Sequence, residues 1–556
     1  MDRRRSNRPR KRPRLAAAAI AAAAWGLAAA TGAHEAPDVP ADWKRACTPT
    51  DDAWRETPQH FVFNNESEPE TLDPHVMTGS PELRLALALY EGLTTLDPRT
   101  LAPRPGLAEA WTLDPSGRRF TFHLRPGLQW SDGHPLSADD FVTSWRRALT
   151  PATGCSYAGL FFVIDGAEAW HHAPTNTFDT VGLRAPDAQT LVIDLRAPCA
   201  YFLELTAFPT FSPVRIDRIE AHPDAWTRPG RLVGTGPFAL ADWEPRRQIR
   251  LAPNTNYWDA SFVKLASITA LPLDDQNTAY QMFLKGNVHW LPGIPQARAE
   301  EIRRHPDYYV TPFFGTYFYR FNVTREPFND PRVRRAFSLA TDRREITEHI
   351  LKSGQLPIAS FCPPVAGYEP VEGLPYDRDT ARDLLAQAGY GPGGRAFPPV
   401  EVLYNTSEGH KLIAEAVSQQ WRRNLGIAAT ARNVEWKVFL TDMRDLDYQV
   451  CRSSWIGDYG DPSTFFDIFR GDDGNNRTGW RSAEYDRLSR EAAAQPEPPR
   501  RWALYRRMEQ ILVVDECPIL PLYRYVNQGL LSPRVCGWYP NIRDVHNFKY
   551  LWLARE

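Results

Sequence analysis

The sequence predicts an α/β protein of two or three domains, and three observations lead there. At 556 residues the chain is too long for one hydrophobic core. Short apolar segments of period two alternate with segments of helical period, as in α/β units with mostly parallel sheets. No internal repeat or long linker interrupts the pattern, and the Gly/Pro cluster from Gly389 to Pro399 reads as a loop.

Taken in order, Phe61, Val62 and Phe63 form a short strand after a Pro-rich lead-in, and a helix follows through Leu85, Leu89 and Tyr90. Phe120, Phe122 and Leu124 alternate as a strand. Ser137 with Asp140 three residues on resembles a capping box for a helix that carries Phe141, Trp145 and Leu149 on one face. Leu191, Ile193 and Leu195 alternate again. Gly234 to Phe238 is a turn into another strand, because Pro237 and the alternation after it do not suit a phosphate-binding helix start.

From Phe313 a second half begins with the aromatic strand Tyr317, Tyr319, Phe321. Asp330 and Pro331 supply an N-cap and first-turn proline for a helix through Val333, Phe337, Ala340 and Ile346. A helix from about Arg378 stops at Gly389. Val400, Val402 and Tyr404 form a strand, and His410 opens a helix burying Ile413, Val417 and Trp421 that ends at Gly426.

The stretch DYQVCRSSWIGDYGDPSTFF, beginning at Asp447, organises the rest. Alternation from Tyr448 to Arg452 predicts a strand buried on one face, which a Gly/Pro turn ends. A carboxylate beside Trp455 and Tyr459 at a strand end can serve as counter-ion to a ligand ammonium. The same Asp458 could instead cap the turn. Ligands of open α/β sheets sit at the carboxyl ends of strands, where Asp458 and His410 fall.

Composition narrows the function. Hydrophobic content of 43 % and charged content of 24 % are those of a globular protein, and 18 Trp with 21 Tyr can line clefts as well as cores. Residues 2–14 carry seven Arg and one Lys against one Asp, and an apolar run from Leu15 to Ala30 follows. Residues 1–36 thus read as a secretory signal peptide, with an uncleaved anchor as the alternative. Taking that +7 from the net −2 leaves −9, which argues against nucleic acid as a partner. No second apolar run reaches bilayer length, so a soluble exported protein is expected. Cys47 is rejected as a lipid anchor because Lys44 and Arg45 precede it. Some of the seven cysteines should pair in an oxidising compartment, with at least one left free and no connectivity given.

Catalytic and metal signatures were sought without success. The chain has no G-x-S-x-G, H-E-x-x-H, P-loop lysine or Cys/His ladder. Asp458 and Asp461, three apart on one turn, are badly placed to flank a glycosidic bond. No catalytic residue, cofactor or metal is therefore expected.

With these residues assembled, the chain resembles the extracytoplasmic oligopeptide-binding proteins, solute receptors of peptide ABC importers (solute-binding protein family 5). The resemblance runs from about Phe61 to Leu553 and rests on eight segments in the family's order: NNESEPETLDPH from Asn64, YEGL from Tyr90, FTFHLR from Phe120, WSDG from Trp130, PFNDPRVRRA from Pro327, YNTSEGHK from Tyr404, EWKVFL from Glu435 and WIGDY from Trp455.

The resemblance implies a periplasmic-binding-protein-like fold, two α/β lobes closing over a ligand cleft plus an additional α+β domain. Domain I would comprise residues 47–90, 217–314 and 527–556, domain II residues 91–216 and domain III residues 315–526, with a hinge near 314 and 526. Asp458 would hold a peptide's α-amino group, and Arg452 and His410 its C-terminal carboxylate. Trp455, Trp436 and Tyr157 would wall side-chain pockets, and Ser454 to Ile456 would pair with the peptide as an added strand.

The implied partners are short peptides and the permease subunits of an ABC transporter, for a periplasmic monomer. Murein peptides, a non-peptide solute such as a metal chelate, or a secreted hydrolase are the alternatives, and Asp458 favours a ligand with a free ammonium over a chelate. The sequence also departs from the family. Ile456 and Gly315 stand where enteric relatives have a disulfide, a family lysine falls at Leu351 beside Lys352, and an acid after the DPH motif is Thr78, which leaves peptide length open.

Overall fold

The computed structural model describes residue 55 and residues 57–555, apart from 175, 176, 353, 366, 392 and 496. The signal-peptide reading and Cys47 lie outside the described residues.

Two long strands, Tyr308–Phe321 and Ile519–Leu531, pair antiparallel at the centre of an eleven-stranded sheet. On one flank lie Val450–Ile456, Val400–Asn405 and Ala429–Val434; on the other lie Trp290–Leu291, His60–Asn64, Ser267–Leu271, Gln248–Pro253 and Phe238–Glu244. The central pair slips register between Pro312 and Thr316, so each long strand has one half in either flank. Gly315–Phe321 and the facing Ile519–Tyr525 are rich in aromatic and β-branched residues, which suit a ladder buried on both faces, whereas Tyr308–Phe313 alternates between buried and more exposed positions.

The sheet is mixed, where mostly parallel sheets are expected from the sequence. Four of its strand pairings are parallel (His60–Asn64 with Ser267–Leu271 and with Trp290–Leu291; Val400–Asn405 with Ala429–Val434 and with Val450–Ile456). The long central strands run antiparallel to each other and to Val450–Ile456, a pairing between distant segments that alternation along the chain does not encode.

A second, four-stranded antiparallel sheet, ordered Ala108–Leu113, Arg119–Leu124, Thr190–Asp194, Leu183–Asp187, packs on the helix Ala138–Leu149. The Ser137 N–H donates to Asp140 Oδ2 at 2.7 Å, so the short acid does close the box, and Phe141, Trp145 and Leu149 are fully buried.

Three further expectations need correction. The helix after Asp330 ends at Leu339, and Glu345–Leu351 is a separate π-helical turn. Asp342 caps that turn by accepting from the Arg344 and Glu345 N–H groups, while the buried Arg343 guanidinium binds the Pro521 and Leu374 carbonyls. Val450–Ile456 is buried along both faces, as the central place of the strand requires. None of the six described cysteines is in a disulfide. Cys362, Cys451 and Cys517 sit in three different apolar cores, each a small hydrophobe in its own packing site.

Candidate functional site

One cavity of about 410 Å³ lies beside the central strands, and all eight residues singled out from the sequence line it: Tyr157, His410, Trp436, Arg452, Ser454, Trp455, Ile456 and Asp458. Five of them come from Val450–Ile456 and the turn after it. This strand pairs on one side with Tyr308–Phe321 along its whole length, from Phe321↔Val450 to Gly315↔Ile456. On its other side Val400–Asn405 pairs only with Val450 and Cys451. Beyond Cys451 no described strand lies against that edge, and the cavity opens there. An extended ligand can hydrogen-bond to such an edge.

Gly315 and Ile456, the positions where the resemblance places a lost disulfide, face each other directly. Contact takes over from a cross-link: a Cβ on Gly315 would meet the Trp455 carbonyl at 3.1 Å and Ile456 at 3.2 Å.

The turn after the strand is fixed through its backbone. The Gly457 N–H donates to the Phe314 carbonyl at 2.8 Å, and a side chain at Gly457 would drive into the Phe314 ring, at 2.1 Å from its Cβ. The Asp458 N–H donates to Thr464 Oγ1 at 2.9 Å, and its carbonyl accepts from Arg543. Arg543 also pairs with Glu204 at 3.0 Å, and Glu204 accepts from the Gly460 N–H at 3.2 Å. Tyr459 stacks on Tyr201 at 4.2 Å.

The Asp458 carboxylate gains little from this framework. Its one contact is the Thr464 hydroxyl at 3.5 Å, and no described cation lies within ion-pair distance. Burial pushes its pKa up to about 8, with Asp473 adding to the rise and Arg543 and Thr464 opposing it. Trp455 and Tyr157, with ring centroids 6.1 Å apart, form an aromatic wall nearby, and the buried Trp455 indole N–H has no acceptor.

At the other end of the strand the signs reverse. Arg452 Nη1 donates to Asn405 Oδ1 at 3.2 Å and Nη2 to the Tyr525 hydroxyl at 3.3 Å; its Nε–H is unpartnered, and the guanidinium lies 5.2 Å from the Tyr317 ring centre. No described carboxylate pairs with it. His410, in the first turn of Glu408–Leu425, has its Nδ1 3.4 Å from the Tyr317 hydroxyl. Burial holds the imidazole pKa well below its usual value, and Arg452 depresses it further. His410 is thus a neutral hydrogen-bonding group and not a second cation.

Side chains also join segments far apart in sequence, one of them from the cavity-lining Trp436. Trp436 Nε1 donates to Glu82 at 3.3 Å, Arg444 pairs with Glu70 at 2.6 Å, and Asn277 donates to Glu408 at 2.8 Å. Glu82 also accepts from the Glu70 N–H at 2.6 Å, and burial raises its pKa to about 7.

Leu351, Thr78, Arg320, Arg477 and Arg543 line the cavity as well. The last three escape the sequence reading because no local pattern distinguishes them from surface arginines. Among the described residues the groups that could hold a metal come together at Glu168, His172 and Asp472, where Arg470 pairs with both carboxylates and Arg196 with Glu168. No described helix is long and apolar enough to cross a membrane.

Comparison with known proteins places this geometry in context. The family model for bacterial extracellular solute-binding proteins, family 5 (middle part), matches residues 102–477. The periplasmic oligopeptide-binding protein OppA of Salmonella typhimurium is 34 % identical over 541 residues, 94 % of this chain and 95 % of the relative. The Escherichia coli murein tripeptide-binding protein MppA superposes with a TM-score of 0.86 at 33 % identity, covering 90 % of this chain and 99 % of the other. Haemophilus influenzae OppA in complex with RPPGFSPFR gives 0.84 at 31 % identity, covering 90 % and 99 %. The unliganded open form of MppA, also 33 % identical and covering 90 % and 98 %, gives only 0.60. Sequence is constant between the two MppA comparisons, so the difference is one of arrangement, and this chain is unlike the open form.

Proposed function

The chain belongs to the bacterial extracellular solute-binding proteins of family 5, and from that premise we propose that it is a periplasmic receptor that encloses short peptides in this cavity and delivers them to an ABC permease. It binds its solute without transforming it. One observation carries the reading: an uncompensated carboxylate and an uncompensated guanidinium stand at opposite ends of one open strand edge. Asp458 takes the peptide ammonium, Arg452 with neutral His410 takes the terminal carboxylate, and Ser454 to Ile456 pair with the main chain. Four residue steps of strand lead from Arg452 to Ile456, about 13 Å, and Asp458 follows two residues later in the turn. An extended peptide of a few residues spans such a distance.

The physics favours this occupant. Main-chain pairing is indifferent to side-chain identity, whereas paired end charges reject solutes with only one of them. Trp455, Trp436 and Tyr157 wall the side-chain pockets. Domain I (47–90, 217–314, 527–556), domain II (91–216) and domain III (315–526) are proposed as the moving units. The register slip between Pro312 and Thr316 is the hinge, and the Glu70–Arg444, Glu82–Trp436 and Asn277–Glu408 contacts join the closed lobes.

Titration calorimetry with a tripeptide tests the reading. Asp458→Ala should weaken binding by about 2–5 kcal/mol, the scale for removing one partner of a buried charge pair. Acetylating the peptide's amino terminus should cost wild type a similar amount and the variant nothing more. Undiminished affinity in either arm removes Asp458 from the site.

A further inference from the structure

Among the described cavity residues, Arg477 shares with Arg452 a guanidinium held by neither a carboxylate nor a close backbone carbonyl. Its Nη2 lies 3.5 Å from the Thr78 hydroxyl and 3.4 Å from the Ser156 hydroxyl, both long contacts, and its buried Nε–H has no acceptor. Two other cavity arginines are better satisfied. Arg320 donates to Ser453 Oγ at 3.0 Å and to the Asn475 carbonyl at 2.9 Å, while Arg543 has Glu204.

The surroundings of Arg477 make its charge more costly. Burial lowers its pKa to about 10, and Arg320 and Arg444 add like-charge repulsion. Glu70 is the acid that reaches it electrostatically, but its oxygens are bound to Arg444 at 2.6 and 3.2 Å. A guanidinium so placed is destabilising until an anion arrives, and its planar fork matches a carboxylate. Its position locates that anion. Arg477 reaches the hydroxyl of Ser156, the neighbour of Tyr157, and the Tyr157 ring lies 6.1 Å from that of Trp455, so Arg477 flanks the end of the cavity proposed for the ligand's amino terminus.

We propose that Arg477 makes this receptor selective for peptides with a carboxylate side chain at the first or second residue. The inference rests on the peptide reading above and adds a ligand class to it. The hydroxyls of Thr78 and Ser156 steer the guanidinium toward the cavity without neutralising it, so its charge remains available to the ligand.

Calorimetry with four tripeptides tests this: Glu-Ala-Ala and Ala-Glu-Ala against Gln-Ala-Ala and Ala-Gln-Ala. Wild type should bind at least one acidic peptide tenfold or more tightly than its amide counterpart. In Arg477→Gln that ratio should fall below threefold, with affinity for the amide peptides held within threefold of wild type, which also shows that the variant folds. Arg477→Lys should keep part of the preference, since an ammonium replaces the fork by a point charge. Should Arg477→Gln not fold, the wild-type ratio and Arg477→Lys decide the matter. A wild-type ratio near one at both positions, or a preference that survives in Arg477→Gln, overturns the assignment while leaving the peptide reading intact. Binding of none of the four peptides overturns both.

Discussion

Asp458 and Asp461 lie three residues apart on one turn, carry the same side chain and are treated in opposite ways. Asp461 is saturated: its Oδ1 accepts from Arg501 at 2.8 Å, from the Ser463 N–H at 3.0 Å and from the Ser463 hydroxyl at 2.8 Å. Asp458 has a rigid backbone and a carboxylate left almost without donors. The difference teaches that this turn separates two tasks. Asp461 and Arg501 pin the loop, and the Asp458 carboxyl is held in a fixed place with little to bind it, which in the proposed role is preorganisation for a ligand.

The largest expected effect breaks the pinned half. Asp461→Ala leaves the largely buried Arg501 guanidinium without a carboxylate, with the Tyr505 hydroxyl at 3.1 Å in its place, and should cost about 3–5 kcal/mol of folding stability in urea titrations. A loss of under about 1 kcal/mol would mean that the two aspartates do not differ in the way described.

The second prediction concerns pH and binding. Below about pH 8 the empty cavity holds Asp458 protonated, with Asp473 and Arg543 as the charged groups facing it. A salt bridge to a peptide ammonium needs the ionised form, so binding must expel a proton. Peptide affinity should then weaken by up to about tenfold for each unit that pH falls below 8. Calorimetry in buffers of different ionisation enthalpy should find close to one proton released per peptide at pH 6. Zero release at that pH would mean that the carboxylate is already ionised in the free receptor.

A third, of similar size per pH unit, concerns stability. The folded pKa of Asp458 lies above its unfolded value, so between about pH 4 and pH 8 the folded state binds the extra proton. Its contribution to stability therefore declines as pH rises through that window, by at most about 1.4 kcal/mol per unit, and is fully lost above it. Asp458→Asn removes this dependence, so the variant should outlast wild type in thermal melts by a margin that widens from pH 5 to pH 8. A constant margin contradicts the raised pKa.

The smallest effect belongs to an ion pair between distant segments. The Arg444–Glu70 pair is partly exposed, with side chains 38 % and 22 % accessible, so Arg444→Ala should weaken peptide binding by no more than about 1 kcal/mol, and less in high salt. A larger loss would make this pair a main determinant of closure.

Much of this was legible beforehand because it is local. The strand at Phe120–Leu124, the capping box at Ser137, the Asp330–Pro331 helix start and the Gly426 stop all depend on residues within a few positions of one another. Asp458 stood out for the same reason, as an acid set between aromatic residues at a strand end. Arg477 had no such signal in its loop, because its significance lies in what is missing around it. Orphaned charge is a property of three-dimensional surroundings. The mixed sheet direction escaped prediction since antiparallel pairing of Tyr308–Phe321 with Ile519–Leu531 joins segments some two hundred residues apart, and Cys362, Cys451 and Cys517 likewise lie in separate cores.

By itself the sequence determined the α/β alternation and the element starts and stops, since these follow from periodicity and capping within short windows, while the residues assigned to the two ends of a peptide came from the resemblance to a family. Only the tertiary structure decided that Val400–Asn405 parts from Val450–Ile456 after Cys451, leaving an open strand edge between Asp458 and Arg452. Which strand ends first, and which buried charge finds a partner, depends on packing between distant segments.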